Sequence, residues 1–366
     1  MKEQSSSGGF LKGLGVLFII LFIFILPLSL LAFDAGAALF NAEKVKTFVA
    51  DEVIRSDLVP AGLAYLSELQ AKRRGSGEDE PDIVKLIRLL QLEDWRTIRQ
   101  EILPNEILVP MSNSAVQSFY DWIDSEFLYM QVMLEMQPLK DRVNSEHGAN
   151  SIMVAYGKLK PCTDAEVKDF ESRMAAAKVG DDVPYNLCVF PDPYHEDQFN
   201  DYVASLQEVV NNVPVKFNLT AAMYEDEDTT VKGSSPAKDQ LRLMRALAAW
   251  AWLLPLLLVL AVAGCSVRSL LDVTRWLGVP LLVGGLLTLV PPLLYSAVIT
   301  AFLSAGPLAE FPALLTQELI RVIVRLAGLV FDPMLMQALT LSALGLLLVG
   351  LGAWLGRKEK PAPPAL

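Results

Sequence analysis

Leu11–Phe33, LKGLGVLFIILFIFILPLSLLAF, carries one charge near its start, Lys12, and no other until Asp34. A membrane helix needs about 20 apolar residues to cross the hydrocarbon core, and this run supplies them. Ala246–Cys265 and Gly278–Leu303 contain no charge at all, and Gln337–Gly356 repeats the pattern. A buried helix of a water-soluble core would show an apolar stripe. These runs are apolar all round and too long for that. The expected fold class is therefore mostly α: a four-span transmembrane helical protein, with spans at 10–33, 243–265, 277–303 and 336–356.

Between the first two spans lies a stretch of different composition. Residues 34–240 hold 36 Asp and Glu against 20 Lys and Arg, whereas the rest of the chain holds 6 acids and 11 bases. An excess of acid of this size excludes nucleic acid as a partner, since phosphate recognition needs a basic footprint.

The short segments carry the opposite sign, and basic short loops face the cytoplasm. Lys2 and Lys12 precede span one, Arg268 and Arg275 fall between spans two and three, and Arg357, Lys358 and Lys360 follow span four. With four crossings all three places share one side. Residues 1–9, 266–276 and 357–366 are then cytoplasmic, both termini included. Residues 34–240 and 304–335 are extracytoplasmic, and the expected location is a bacterial-type plasma membrane. Arg242 and Arg245 lie on the outer flank of span two, where long basic side chains can reach the headgroups. The first run is longer than the hydrophobic core of a signal peptide, about 7–15 residues, and no small-x-small cleavage site precedes Asp34, so it reads as an uncleaved anchor.

Residues 304–335 are apolar enough to suggest a fifth crossing, but Glu318, Arg321 and Arg325 recur at three and four residues and share one helix face. The expectation is an amphipathic helix in the outer interface or against the large domain, with Glu318 and the two arginines as an interfacial ion pair. Pro307, Pro312 and Pro333 bracket it as start and stop signals. In span four, Gly352 and Gly356, with Gly345 and Gly350 nearby, mark a face for close helix packing. Pro255, Pro280, Pro291 and Pro292 predict kinks in spans two and three.

The 207 residues of 34–240 suffice for a core, and the pattern there is helical throughout. Val45–Lys72 has helical spacing and stops at Arg73-Arg74-Gly75-Ser76-Gly77, and Glu78-Asp79-Glu80-Pro81 opens the next helix. Ile83–Leu92 and Trp95–Leu103 continue in short helices cut by Pro104 and Pro110. Asn113–Met136 carries Phe119, Tyr120, Trp122, Phe127 and Tyr129, an aromatic stripe that reads as core. Strand signals are scarce.

Two of the three cysteines, Cys162 and Cys188, lie in this domain. Cys162 precedes Thr163-Asp164-Ala165-Glu166, a capping box. Cys188 precedes Asp192-Pro193, which reads as the N-cap and first residue of a helix. In an oxidising compartment they are expected to form a disulfide, leaving Cys265 free. Neither has a second Cys or a His at metal-ligand spacing.

Candidate chemistry is thin. His147 sits in a polar turn. His195 lies among Asp192, Glu196 and Asp197, acids that suit a helix start as well as they suit a metal. Glu225-Asp226-Glu227-Asp228 lacks calcium-loop spacing and reads as a solvated linker. Asn218-Leu219-Thr220 matches a glycosylation sequon. No nucleophile elbow, zinc-protease helix, phosphate loop or dinucleotide fingerprint occurs. No acid or base lies deep inside any of the four spans, which argues against proton- or ion-coupled transport. The sequence therefore points away from an enzyme and from any cofactor or metal. It points to a multi-pass protein in the lipid bilayer whose outer domain is a binding or assembly module, with a protein partner or self-association.

One span, a large outer domain, then three spans with a smaller outer loop is similar in layout to the FtsX/MacB type of membrane subunit. That layout implies the alternative role, a subunit of a transport or signalling complex coupled to a cytoplasmic ATPase. A helical outer domain departs from that type.

Overall fold

The computed structural model describes residues 6–74, 86, 89–178, 183–224 and 228–358. Among the described residues the protein is mostly helical, with few strands and four helices long and apolar enough to cross a membrane: Gly13–Leu39, Pro236–Ser266, Leu271–Ala305 and Ala313–Leu355. Two compact units form. One comprises residues 1–45, 234–309 and 320–366, the other 46–233 and 310–319.

The first unit is a bundle. Helix α1, Ser6–Leu39, enters it and α2, Ala42–Phe48, leaves it. The second candidate span is two helices, α11 (Pro236–Trp250) and α12 (Leu253–Ser266). The third is also two, α13 (Leu270–Thr288) and α14 (Val290–Ala305), meeting at Leu289 just before Pro291 and Pro292. Both breaks sit two to four residues before a proline, which has no N–H for the ladder and clashes with the preceding turn. Pro280, by contrast, lies inside α13.

Close contacts set the register of the bundle. A Cβ on Gly345 would lie 2.3 Å from the backbone nitrogen of Leu282, one on Gly285 2.8 Å from that of Ser342, one on Gly278 3.1 Å from that of Val349, and one on Gly352 2.6 Å from Thr274 Oγ1. Forward steps on α13 match backward steps on α15, so these helices run antiparallel with their backbones in near contact. Gly15 against Ser266 and Gly36 against Ala248 make α1 antiparallel to α11 and α12. Phe22, Leu26 and Leu258 form the buried centre, with Leu281 and Leu341 packed on it.

Two sequence expectations are corrected here. Pro333 does not end a helix: α15 runs unbroken from Ala313 to Lys358, so the boundary at 335/336 is not a break. Met334 and Ala338, both fully buried, hold the helix on the far side of the lost ladder bond. Asp34 does not end span one either. The helix continues to Leu39 and Asp34 is buried within it.

The second unit is also helical, except for one small sheet. After a π-helical turn at Val49–Ile54 come α3 (Leu58–Arg74), α4 (Leu92–Ile102), α5 (Asn105–Asp124), α6 (Gln137–Val143), α7 (Glu146–Tyr156), α8 (Asp164–Ala176), α9 (Tyr194–Asn212) and α10 (Leu219–Met223). Strands β1 (Met133–Glu135) and β2 (Lys216–Asn218) pair antiparallel, Leu134 opposite Phe217. The expectation of an all-helical domain is corrected to this extent. The partners lie too far apart in sequence for any hairpin turn signal to announce them.

Pro104 separates α4 from α5 as expected, but Pro110 lies inside α5 without ending it. Tyr120 is core, whereas Phe127 is exposed. The expected Gly-rich stop at 75–77, the helix opening at 78–81, most of 83–88, and Glu225 to Glu227 lie outside the described residues, as do Lys2 and Lys360.

Candidate functional site

The two domain cysteines come together. Cys162 and Cys188 Sγ atoms are at disulfide distance, 1.98 Å, and Cys265 is free. Their neighbourhood is built by two helix starts and the loop between them. Thr163 caps α8: its Oγ1 accepts from the Glu166 N–H at 3.4 Å, and the Glu166 carboxylate accepts from the Thr163 N–H at 2.7 Å. That backbone bond, with the Thr163 hydroxyl, holds the Glu166 carboxyl below its usual range. Helix α9 begins at Tyr194 with Pro193 at its N-cap, one residue later than the sequence suggested. Phe170, Cys188 and Phe190 form a buried cluster, lined by Tyr185 and Tyr194. Phe170 stacks on Tyr185 at 4.7 Å and meets Phe190 edge-on at 4.9 Å.

The residue that ties this loop down is Gln198, fully buried on α9. Its Nε2 donates to the Cys188 carbonyl at 2.8 Å and to the Asn186 carbonyl at 3.3 Å. Its Oε1 accepts from the Phe190 N–H at 3.1 Å and the Tyr156 hydroxyl at 2.8 Å. All four bonding positions of the amide are used. Burial pushes the Tyr156 hydroxyl above its ordinary range, with Tyr185 adding to the shift. Sequence reasoning missed Gln198, because its partners are mainly backbone groups of a loop without secondary structure.

His195 lies at the edge of this network, Nδ1 3.3 Å from the Tyr156 hydroxyl and its ring 5.5 Å from the Tyr156 ring. Glu196 and Asp197 fall in the first turn of α9, where acids suit the helix dipole. His147 is elsewhere, its Nδ1 2.6 Å from the Glu101 carboxylate. Among the described residues no three His, Cys, Asp or Glu side chains group to hold a metal.

Ion pairs fix the approach of α4. Arg96 forks onto Asp57, Nε to Oδ1 at 2.9 Å and Nη2 to Oδ2 at 2.6 Å. Arg99 is buried and donates to the Ile54 carbonyl at 2.6 Å; burial lowers its guanidinium from the ordinary value.

Among the clefts on this unit, two are of interest. One, about 470 Å³, is lined by Ala61, Ala64, Tyr65, Leu92, Pro312 and Leu315, with Glu68 as its charge. The Tyr65 and Phe311 rings meet beside it at 5.2 Å. The other, about 310 Å³, is polar, lined by Tyr185, Gln198, Asp201, Tyr202, Ser205 and Glu208. Burial first, then Asp201, raises the Tyr185 hydroxyl. The wall of the first cleft is mostly apolar and open to one side, a surface suited to a side-chain cluster of a partner.

The remaining predicted residues divide. Glu318, Arg321 and Arg325 share a face of α15, with Glu318 half-buried and both arginines exposed. Glu318 belongs to the second unit and the arginines to the first. Gly352 and Gly345 make the close contacts given above, while nothing lies within 4 Å of a Cβ on Gly350. Gly356 lies in the same helix, and its packing falls outside what is described. Comparison with known families, with curated proteins and with solved structures gave no match.

Proposed function

We propose that the chain is a multi-pass membrane protein of four crossings, with both termini cytoplasmic and an extracytoplasmic domain that acts as a binding or assembly module. One observation carries the orientation. The contacts of Gly15 with Ser266 and Trp276, and of Gly352 with Thr274, bring the start of α1, the 266–270 turn and the end of α15 to one end of the bundle. The exposed Arg268, Arg275 and Arg357 lie at that end, as a basic cytoplasmic face requires. Gly36 against Ala248 puts the end of α1 and the start of α11 at the opposite end. The cysteine pair lies in the sequence between those two helices, which suits an oxidising compartment.

The binding role draws on the apolar cleft beside Tyr65. Reporter fusions at Ser266 and after Leu366 should read cytoplasmic, and one at Gly233 extracytoplasmic. A C-terminal fusion reading outside would refute the four-crossing topology. A photo-crosslinking residue at Ala64 should join the chain to a partner or to a second copy in intact membranes, and Leu92→Asp should abolish the product without lowering the melting temperature. No product from Ala64 would refute the cleft as the binding surface.

A further inference from the structure

Among the described residues of the bundle, Asp34 is a buried carboxyl group that the binding role does not use. Asp34 lies within the first candidate span, 4 % exposed. Gln337, on α15 and 303 positions away, donates its Nε2–H to Asp34 Oδ1 at 2.9 Å. Two further atoms of this pair, Asp34 Oδ2 and Gln337 Oε1, are buried without a hydrogen-bond partner. Both are acceptors. An ionised carboxylate has no hydrogen to give, so neither oxygen can satisfy the other.

One proton changes the count. Placed on Oδ2, it makes the carboxyl both donor and acceptor, the complement of the amide opposite. A second hydrogen bond, Oδ2–H to Oε1 beside the observed Nε2–H to Oδ1, would then close a ring and use both orphan atoms. We propose that Asp34 is a proton-binding site of the bundle: the folded protein holds it as the neutral acid, and release of the proton loosens α1 from α15. A hard metal ion fits the same place poorly. It wants six or more oxygens, and only two are free here.

The charged neighbours are few. Lys44 of α2 is a charged group near Asp34. From α11, the segment before Ala248 brings Lys238, Asp239, Arg242 and Arg245 toward this end of the bundle. From α15, Arg321, Arg325 and Asp332 precede Gln337. Helices α12 and α13 contribute Cys265, Asp272 and Arg275, all at the other end, and α14 brings Tyr295, stacked on Phe331. Asp34 lies five residues before the end of α1, about 8 Å along the axis. A proton therefore reaches it from one face of the bundle without crossing the centre.

The test uses the full chain purified in detergent. Infrared spectra at neutral pH should show the carbonyl stretch of a buried carboxylic acid, absent in Asp34→Asn. Raising the pH should remove that band and lower the melting temperature of the wild type by several degrees. The sign follows from proton linkage: a proton held by the folded chain and released by the unfolded one stabilises less as pH rises. Asp34→Asn, whose amide donates and accepts as the acid does, should melt at the same temperature across this range. Should that variant fail to fold, Gln337→Leu serves instead: the acid band should persist but shift, having lost its acceptor. Absence of the band in the wild type, a band unmoved by Gln337→Leu, or a melting temperature that responds to sodium or magnesium and not to pH would each overturn the proposal.

Discussion

The two units achieve close packing by opposite means. In the bundle, contact comes from missing side chains: Gly278, Gly285, Gly345 and Gly352 let α13 and α15 approach until backbones touch. In the second unit it comes from large ones: Phe170, Phe190, Tyr185 and Tyr194 stack around the cysteine pair. Under the proposed topology the difference follows from solvent. Helices with apolar surfaces on all sides gain little from burying more of the same surface, so van der Waals contact at short range decides how they associate. In water, aromatic area removed from solvent is the larger gain. Two side-chain amides differ as well: Gln198 in the second unit is fully satisfied, whereas Gln337 in the bundle leaves its buried Oε1 without a partner.

The sharpest way to break this contrast is to give the bundle a side chain where it has none. Gly345→Leu puts a Cβ against the backbone of Leu282, which cannot move aside. It should cost more than about 3 kcal/mol, at the upper end of overpacking, and abolish a monodisperse peak in detergent. Gly350→Leu, facing open space, should leave that peak unchanged. If both variants behave alike, the packing described for α13 and α15 is wrong.

The next largest effect falls on the other unit. Opening the loop by Cys162→Ala together with Cys188→Ala should destabilise it by about 3 kcal/mol on the loop-entropy argument. Limited proteolysis of the full chain should then clip 46–233 first and spare the bundle. Simultaneous loss of both units would show that they do not unfold separately. Gln198→Leu should cost about 2 kcal/mol, because the Cys188 carbonyl and the Phe190 N–H lose their partner while remaining buried.

The smallest effect is acid-sensitive. The Glu166 carboxyl sits below its ordinary range because the Thr163 backbone N–H, and then its hydroxyl, bind the charged form. Its contribution is present above the unfolded carboxylate range and is lost as pH falls through the lower, folded value. Thr163→Ala should therefore lower the melting temperature slightly at neutral pH and have less effect near pH 3. An equal loss at both pH values would mean the cap works without the charge.

How much of this was legible depends on the range of the interaction. Four apolar runs can be read directly, because a helix in lipid satisfies its own backbone within one segment. The capping box at Thr163 and the breaks near Pro255 and Pro291 are equally local. The β1–β2 pair is not, since the paired residues Met133 and Asn218 stand 85 positions apart (218 − 133). Nor is Asp34: adjacent residues mark it as the end of a span, and only Gln337 from the last helix shows why it is buried there. Among the glycines, spacing of four singled out Gly352 and Gly356. The contacts actually described lie at Ser342, Gly345 and Gly352, because what matters is the opposing helix and its own small residues.

The matched steps along α13 and α15 also bear on what kinds of change this chain can tolerate over generations. Substitution at any one of the paired positions disturbs one contact. A single residue inserted between Gly278 and Gly285 would turn everything beyond it by about 100°, carrying the small residues on one side of the insertion off the shared seam at once. In the turn after Ala305, an extra residue shifts no such phase. Length variation among descendants of this sequence should therefore collect in the connections and stay out of these two helices, even where the letters themselves drift.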